Sequence, residues 1–145
     1  MTEGPLVSSL DDARIQRFLA GKEVALLATV QADGAPLAMP MWFLHDPAHL
    51  TMISVAGTQK VRNLRRDPRV CVVAESVSAS GAISGVIVHG RAEFLADGPE
   101  RRALVARFLA KYDPRLERIW GGRAMPNDRV MFRIAASRLK AWGLS

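Results

Sequence analysis

A chain of 145 residues that is 49% hydrophobic has the size of a single domain, residues 1–145, able to bury a full core. Its composition excludes a disordered polar chain, and no apolar run approaches the roughly 20 residues needed to cross a bilayer. Twenty Lys and Arg against fourteen Asp and Glu leave a net charge of +6, so an anionic ligand is expected, with nucleic acid as the rival. The start, Met1-Thr2-Glu3-Gly4-Pro5, lacks the basic and apolar stretches of a signal peptide. With Cys71 as the only cysteine, a soluble cytoplasmic protein is the expectation.

Ser8 or Ser9 can cap a first short helix. Asp11 and Asp12 fall in its first turn, Ile15, Phe18 and Leu19 form its apolar stripe, and Gly21 stops it. Glu23 to Gln31 reads as a strand, Ala32-Asp33-Gly34 as a turn, and Pro36 to Leu44 as the return strand. Pro40 cannot donate to a ladder, which marks the return strand as an edge or a bulge with backbone groups left free. Leu50 to Val55 is a third strand, and the three are expected to pair as one antiparallel meander.

Thr58 to Arg66 reads as a helix stopped by Asp67-Pro68. Arg69 to Ser76 is a fourth strand, in which Cys71 reads as core; Ser76 to Gly85 reads as a flexible loop. Gly85 to Leu95 is a fifth strand with a bulge expected at Gly90. Pro99 to Tyr112 is the clearest helix, with Leu104, Val105, Phe108, Leu109 and Tyr112 at helical spacing. Leu116, Ile119 and Trp120 point to a further helical turn, and Gly121 to Asp128 to a loop. Arg129 to Ala135 alternates as a sixth strand, and Leu139 to Leu144 reads as a last one. Hairpins interrupted by helices give a mainly β fold with α additions, in the form of a small antiparallel barrel. No strand is followed by G-x-G-x-x-G, which argues against a Rossmann domain.

The stretch from Ser54 to Val70 carries the strongest chemical signal. A strand ends, Gly57 permits a tight turn, and a helix begins near Thr58, offering free N–H groups and a positive dipole end. Ser54 and Thr58 add hydroxyls, Lys60 adds a mobile charge, and Arg62, Arg65, Arg66 and Arg69 extend the positive field. Together these make a phosphate site; the competing reading is a solvated basic face on a surface helix.

This segment, with Lys60-Val61-Arg62-Asn63-Leu64 and Arg66-Asp67-Pro68-Arg69-Val70, resembles the signature of the pyridoxamine 5'-phosphate oxidase-like FMN-binding split-barrel superfamily. Within it, the segment is closest to the flavin/deazaflavin-dependent oxidoreductases. Ala28-Thr29-Val30 before Asp33-Gly34, Pro40-Met41-Trp42-Phe43 and Ala141-Trp142-Gly143 resemble other pieces of that family in order and spacing. The resemblance implies a six-stranded antiparallel split β-barrel that pairs as a homodimer, with a cofactor at the interface. By that resemblance, Ser54, Thr58 and Lys60 would hold the cofactor phosphate, with Arg62 and Asn63 in the same motif. Pro40, Met41 and Trp42 would line the ring, and Lys140 and Trp142 would reach in from the partner subunit.

The implied cofactor is coenzyme F420, a deazaflavin with a phosphate and glutamate tail, or FMN. The implied activity is hydride transfer between that cofactor and a small unsaturated or conjugated substrate. The alternative is a non-catalytic cofactor carrier on the same fold. Pyridoxamine phosphate is not the expected substrate. The namesake enzyme's basic residue in the second strand is missing from Leu37-Ala38-Met39-Pro40-Met41-Trp42, and Arg138-Leu139-Lys140 stands where its Arg-x-His would be.

Other polar residues receive no role. His45 and His49 flank a turn without a carboxylate or thiolate to complete a metal site. His89 reads as a barrel histidine, and no G-x-S-x-G elbow supports a serine hydrolase. A nucleic-acid binder would interleave aromatics with its cations, and none lies between Thr58 and Val70. No catalytic side chain is identified.

Overall fold

The computed structural model describes residues 9–144. After a short helix, α1 (Ala13–Ala20), come β1 (Val24–Val30), β2 (Pro36–Trp42), the two-residue β3 (Leu44–His45) and β4 (His49–Val55). Helix α2 (Gln59–Arg66) leads into the long hairpin β5 (Arg69–Val77) and β6 (Ile83–Leu95). Helices α3 (Pro99–Tyr112) and α4 (Arg115–Trp120) precede the last strand, β7 (Arg129–Trp142). The strands form one antiparallel sheet in the order β2-β1-β5-β6-β7-β4-β3.

The two edge strands of this sheet, β2 and β3, are separated in the chain by Phe43 alone. A sheet whose edges run on from one another must curl almost to closure, which is the split-barrel form. Seven strands are seen where six were expected, because the single segment Pro36 to His45 serves both edges: its first part pairs with β1, its last part with β4. This also corrects the expected meander. β4 pairs with β3 and β7, not with β2. Edge position is where a proline does least harm, and Pro40 sits there, opposite Leu26.

Three further sequence expectations are corrected. Asp12, not a serine, caps α1, its side chain accepting the Arg14 N–H at 2.8 Å; Ser8 lies outside the described residues. The expected loop from Ser76 to Gly85 is strand at both ends, and only residues 78–82 form the turn, a tight hairpin in which Gly81 adopts φ +85 and the Ser78 N–H donates to the Ala82 carbonyl at 2.9 Å; its second N–H···O bond, from Gly81 to Ser78, is also 2.9 Å. The two expected C-terminal strands are one. The register of β6 against β7 shifts between His89 and Gly90, leaving Ser137 as the extra residue of a bulge. A Cβ on Gly90 would meet the Ala135 carbonyl oxygen at 2.2 Å, so only glycine fits there.

Two apolar clusters fill the molecule. The larger lies inside the curled sheet, where Leu27, Phe43, Leu50, Met52, Val72, Val86, Val88, Phe132 and Ile134 are buried together. Strand alternation puts Val70, Val72 and Ala74 on that inner side, so Cys71 and Val73 face outward, half-buried; Cys71 is not a core residue. The smaller cluster lies where α3 and α4 cover the sheet and contains Leu44, Leu104, Phe108, Leu109, Tyr112, Leu116 and Met131.

Candidate functional site

A cleft of about 340 Å³ opens between the β2 edge, the end of β4, the start of α2 and the α3–α4 segment. Its apolar side is made by Met41, Trp42, Phe108, Leu116, Ile119 and Trp120. Its polar end holds Ser54, Lys60 and Arg129. The topology explains the meeting of distant segments: β4 and β7 are neighbours in register, with Ser54 opposite Val130 and Val55 opposite Arg129, and α2 follows β4 after a three-residue turn.

At the polar end, the Ser54 and Thr58 hydroxyls lie 3.4 Å apart, and Thr58 Oγ1 donates to the Val55 carbonyl at 2.9 Å. Thr58 occupies the N-cap of α2 without making a side-chain cap bond, so the first N–H groups of that helix are left to a ligand or water. Lys60, one residue into the helix, has its pKa lowered by burial, and no carboxylate offsets that cost. A desolvated ammonium beside two hydroxyls and a helix start suits a phosphate, whose charge would restore what burial removes. Arg129 reaches the same cleft and is paired with Asp128 at 2.5 Å.

The other arginines of the segment are tied to the fold. Arg62 folds back to donate to the Gly57 carbonyl at 2.6 Å and to Gln59 Oε1 at 2.8 Å. Arg65 lies 4.1 Å over the Phe94 ring, Arg66 donates to the Val30 carbonyl, and Arg69 pairs with Asp67 at 2.7 Å. That pairing holds the Asp67 carboxyl down at about 2. Asn63 is fully buried: its amide donates to Thr29 Oγ1 at 3.0 Å and accepts from Gln59 at 2.8 Å, locking α2 onto β1. These contacts pin the helix, while the four arginines themselves stay exposed and Arg69 alone is paired with a carboxylate.

Of the ten residues expected at the site, Pro40, Met41, Trp42, Ser54 and Lys60 line the cleft, and Thr58 stands against Ser54. Arg62 and Asn63 support the helix from behind. Lys140 and Trp142 lie at the far end of β7, opposite Ile87 and Gly85, and do not line the cleft of their own chain. Trp142 is packed so closely over Gly85 that a Cβ there would come within 2.4 Å of the indole. Sequence reasoning did not place Ile53, Phe108, Leu116, Ile119 or Trp120 at the site. Their helical or alternating spacing is the same as that of ordinary core residues, and only the packing of α3–α4 over the β2 edge turns them to a cleft. None of His45, His49 or His89 lines it.

Residues 11–143 match the family described as pyridoxamine 5'-phosphate oxidase. The chain belongs to this family. Among solved structures, the conserved hypothetical protein Rv2991 from Mycobacterium tuberculosis is similar at a TM-score of 0.78 and 28% identity, over 98% of this chain and 89% of that one. HutZ, the heme storage protein from Vibrio cholerae, shares the fold at a TM-score of 0.74 and 20% identity, over 91% of this chain and 96% of its own. A structure described as an F420 reductase shares it at 0.60 and 24%, over 80% and 87%. The fold thus accommodates redox enzymes and storage proteins alike, and the site must discriminate. No described helix is long and apolar enough to cross a membrane.

Proposed function

We propose that the chain is a flavin- or deazaflavin-dependent oxidoreductase that binds coenzyme F420 or FMN in this cleft. The carrying observation is the mixed lining of one cleft: Lys60, Ser54 and Arg129 offer cationic and hydroxyl groups for a phosphate, and Met41, Trp42, Phe108, Leu116 and Trp120 offer apolar surface for a planar ring. When bound, such a cofactor supplies the hydride chemistry. The protein's residues bind and orient it. Lys60 and the Ser54 hydroxyl take the phosphate, with the Thr58 hydroxyl joining them on release from the Val55 carbonyl; Pro40 and Met41 offer the edge backbone to the ring; Phe108, Leu116 and Trp120 exclude water. Among the described residues of this chain no carboxylic acid, histidine or cysteine lines the cleft, and with Lys60 committed to the phosphate a proton required by the product is taken from solvent at its mouth or from the second copy. Ile119, 61% exposed at that mouth, favours a small apolar, conjugated substrate.

A homodimer is part of the proposal. The outer face of the sheet carries a register row, Pro40–Leu26–Val73–Ile87–Lys140, that starts at the cleft edge and is apolar until its last member. Val24 and Leu26 are 41% and 48% exposed on it. A second copy covering this face would approach Pro40 and bring its own residues to the cleft. Titration of the apo protein with FMN and with F420, followed by absorption, tests the ligand, and turnover with a reductant separates an enzyme from a carrier. Sedimentation at micromolar concentration should show a dimer. Failure to bind either cofactor overturns the reading, and a monomer that binds at full strength overturns the interface.

A further inference from the structure

Trp42 ends β2 and forms part of the cleft wall, yet what holds it comes from outside the cleft. The ring of Tyr112, fully buried at the end of α3, stacks on Trp42 with centroids 4.3 Å apart and planes 1° from parallel. The Tyr112 hydroxyl accepts the Phe43 N–H at 2.9 Å and donates to the Glu23 carbonyl at 2.7 Å. Phe43 is the residue at which the chain leaves one edge of the barrel for the other, and its carbonyl takes a second bond from Lys111 Nζ at 2.8 Å. The Arg115 guanidinium, ion-paired with Glu23, lies 5.0 Å from the Trp42 ring. Phe108 and Leu116, each one turn from Tyr112 along the chain, point into the cleft, whereas Tyr112 does not line it.

We infer that Tyr112 is a positioning residue for the cleft: it fixes the plane of Trp42, and so the width of the space a ring can occupy, by stacking beneath the indole while its hydroxyl anchors the crossover at Phe43. The inference rests on the reading that the cleft takes a ring cofactor. Parallel stacking restrains tilt of the indole in a way that a flexible aliphatic chain of similar volume does not. The two functions of the side chain are separable. Tyr112→Phe keeps the stacked ring and loses the bridge between Phe43 and Glu23; Tyr112→Leu loses both.

The test combines two measurements on the full chain. In the ligand-free protein, the Trp42 indole N–H resonance, identified by its disappearance in Trp42→Phe, reports the stacking. Titration with FMN and with F420 reports the cleft. Tyr112→Phe should lower the melting temperature but leave the Trp42 resonance near its wild-type position and affinity within about threefold, since the ring remains. Tyr112→Leu should move the Trp42 resonance, leave those of Trp120 and Trp142 in place, and weaken cofactor binding about tenfold, the upper range of an aromatic pair's effect. An unmoved Trp42 resonance in Tyr112→Leu, or unchanged affinity per folded molecule, overturns the inference. If Tyr112→Leu does not fold, Tyr112→Met is read by the same criteria. Should the wild type bind neither cofactor, the proposed function fails, while the Trp42 resonance still decides whether Tyr112 sets that ring.

Discussion

The two apolar clusters are built from the same residue types but differ in what borders them. The cluster inside the sheet is closed by strands and by Ile15, Leu19 and Leu64 of α1 and α2, and the polar pair beside it, Thr29 and Asn63, is hydrogen-bonded to itself. The cluster under α3 and α4 borders the cleft on one side, and Tyr112 and Lys111 tie its edge to the backbone of Phe43. The first touches the cleft only through Met41, so most changes in it should cost stability alone. The second couples stability to ligand geometry, because Trp42, Phe108, Leu116 and Trp120 pack against it and line the cleft as well.

The largest expected effect falls on the inner cluster. Phe132→Ala removes a fully buried ring and should cost about 3–5 kcal/mol of stability in denaturant unfolding. Cofactor affinity per folded molecule should stay unchanged; a parallel loss of affinity would dissolve the distinction between the clusters. Next comes the polar end of the cleft. Lys60→Ala should reduce affinity for FMN or F420 by roughly 10- to 100-fold, the effect of one charge-assisted contact of about 1.5–3 kcal/mol. Its melting temperature should barely move, and Arg14→Ala serves as a control for general charge. Equal weakening in both variants would show that bulk charge, not a phosphate site, attracts the ligand.

The smallest effect sharpens the second cluster. Burial draws Lys111 down from 10.5 to about 8. Below about pH 8 both folded and unfolded chains hold this proton, and the cost of burying the charge is present in full. Between about 8 and 10.5 the unfolded chain binds more protons, so stability rises with pH. Burial holds Tyr112 up at about 12, so its opposing contribution begins only above its ordinary value of 10; burial also raises Cys71 from 9.0, which opposes the rise within this window in wild type and variant alike. The urea midpoint should therefore increase between pH 8 and 9.5 in the wild type and increase less in Lys111→Met. Identical slopes would mean that the ammonium is effectively solvated.

Local chemistry in the sequence accounts for much of this. Pro99 to Tyr112 is a helix at the bounds its spacing gives, because apolar periodicity and an N-terminal proline act within the segment itself. Pro40 marks an edge because a residue without an N–H cannot sit in a paired interior. Lys60, Ser54 and Thr58 were recognisable together because a strand, a turn and a helix start bring them close along the chain. Where the reading failed, the missing information was non-local. Ser137 is a bulge inside one strand only because of how β6 is aligned against it, and the break read there from sequence had no means of seeing that partner.

What the sequence by itself determined is therefore most of the elements, products of short-range spacing and side-chain type, and, through the resemblance of its motifs, the family. What only the tertiary structure decided is which face each element presents. It folded Arg62 and Asn63 back into the support of α2, turned Cys71 outward, and brought Trp120 to the cleft. It also set Tyr112 beneath Trp42, seventy positions earlier in the chain. These outcomes depend on closing the sheet through Phe43, and closure is a property of all the strands at once, which no local pattern encodes.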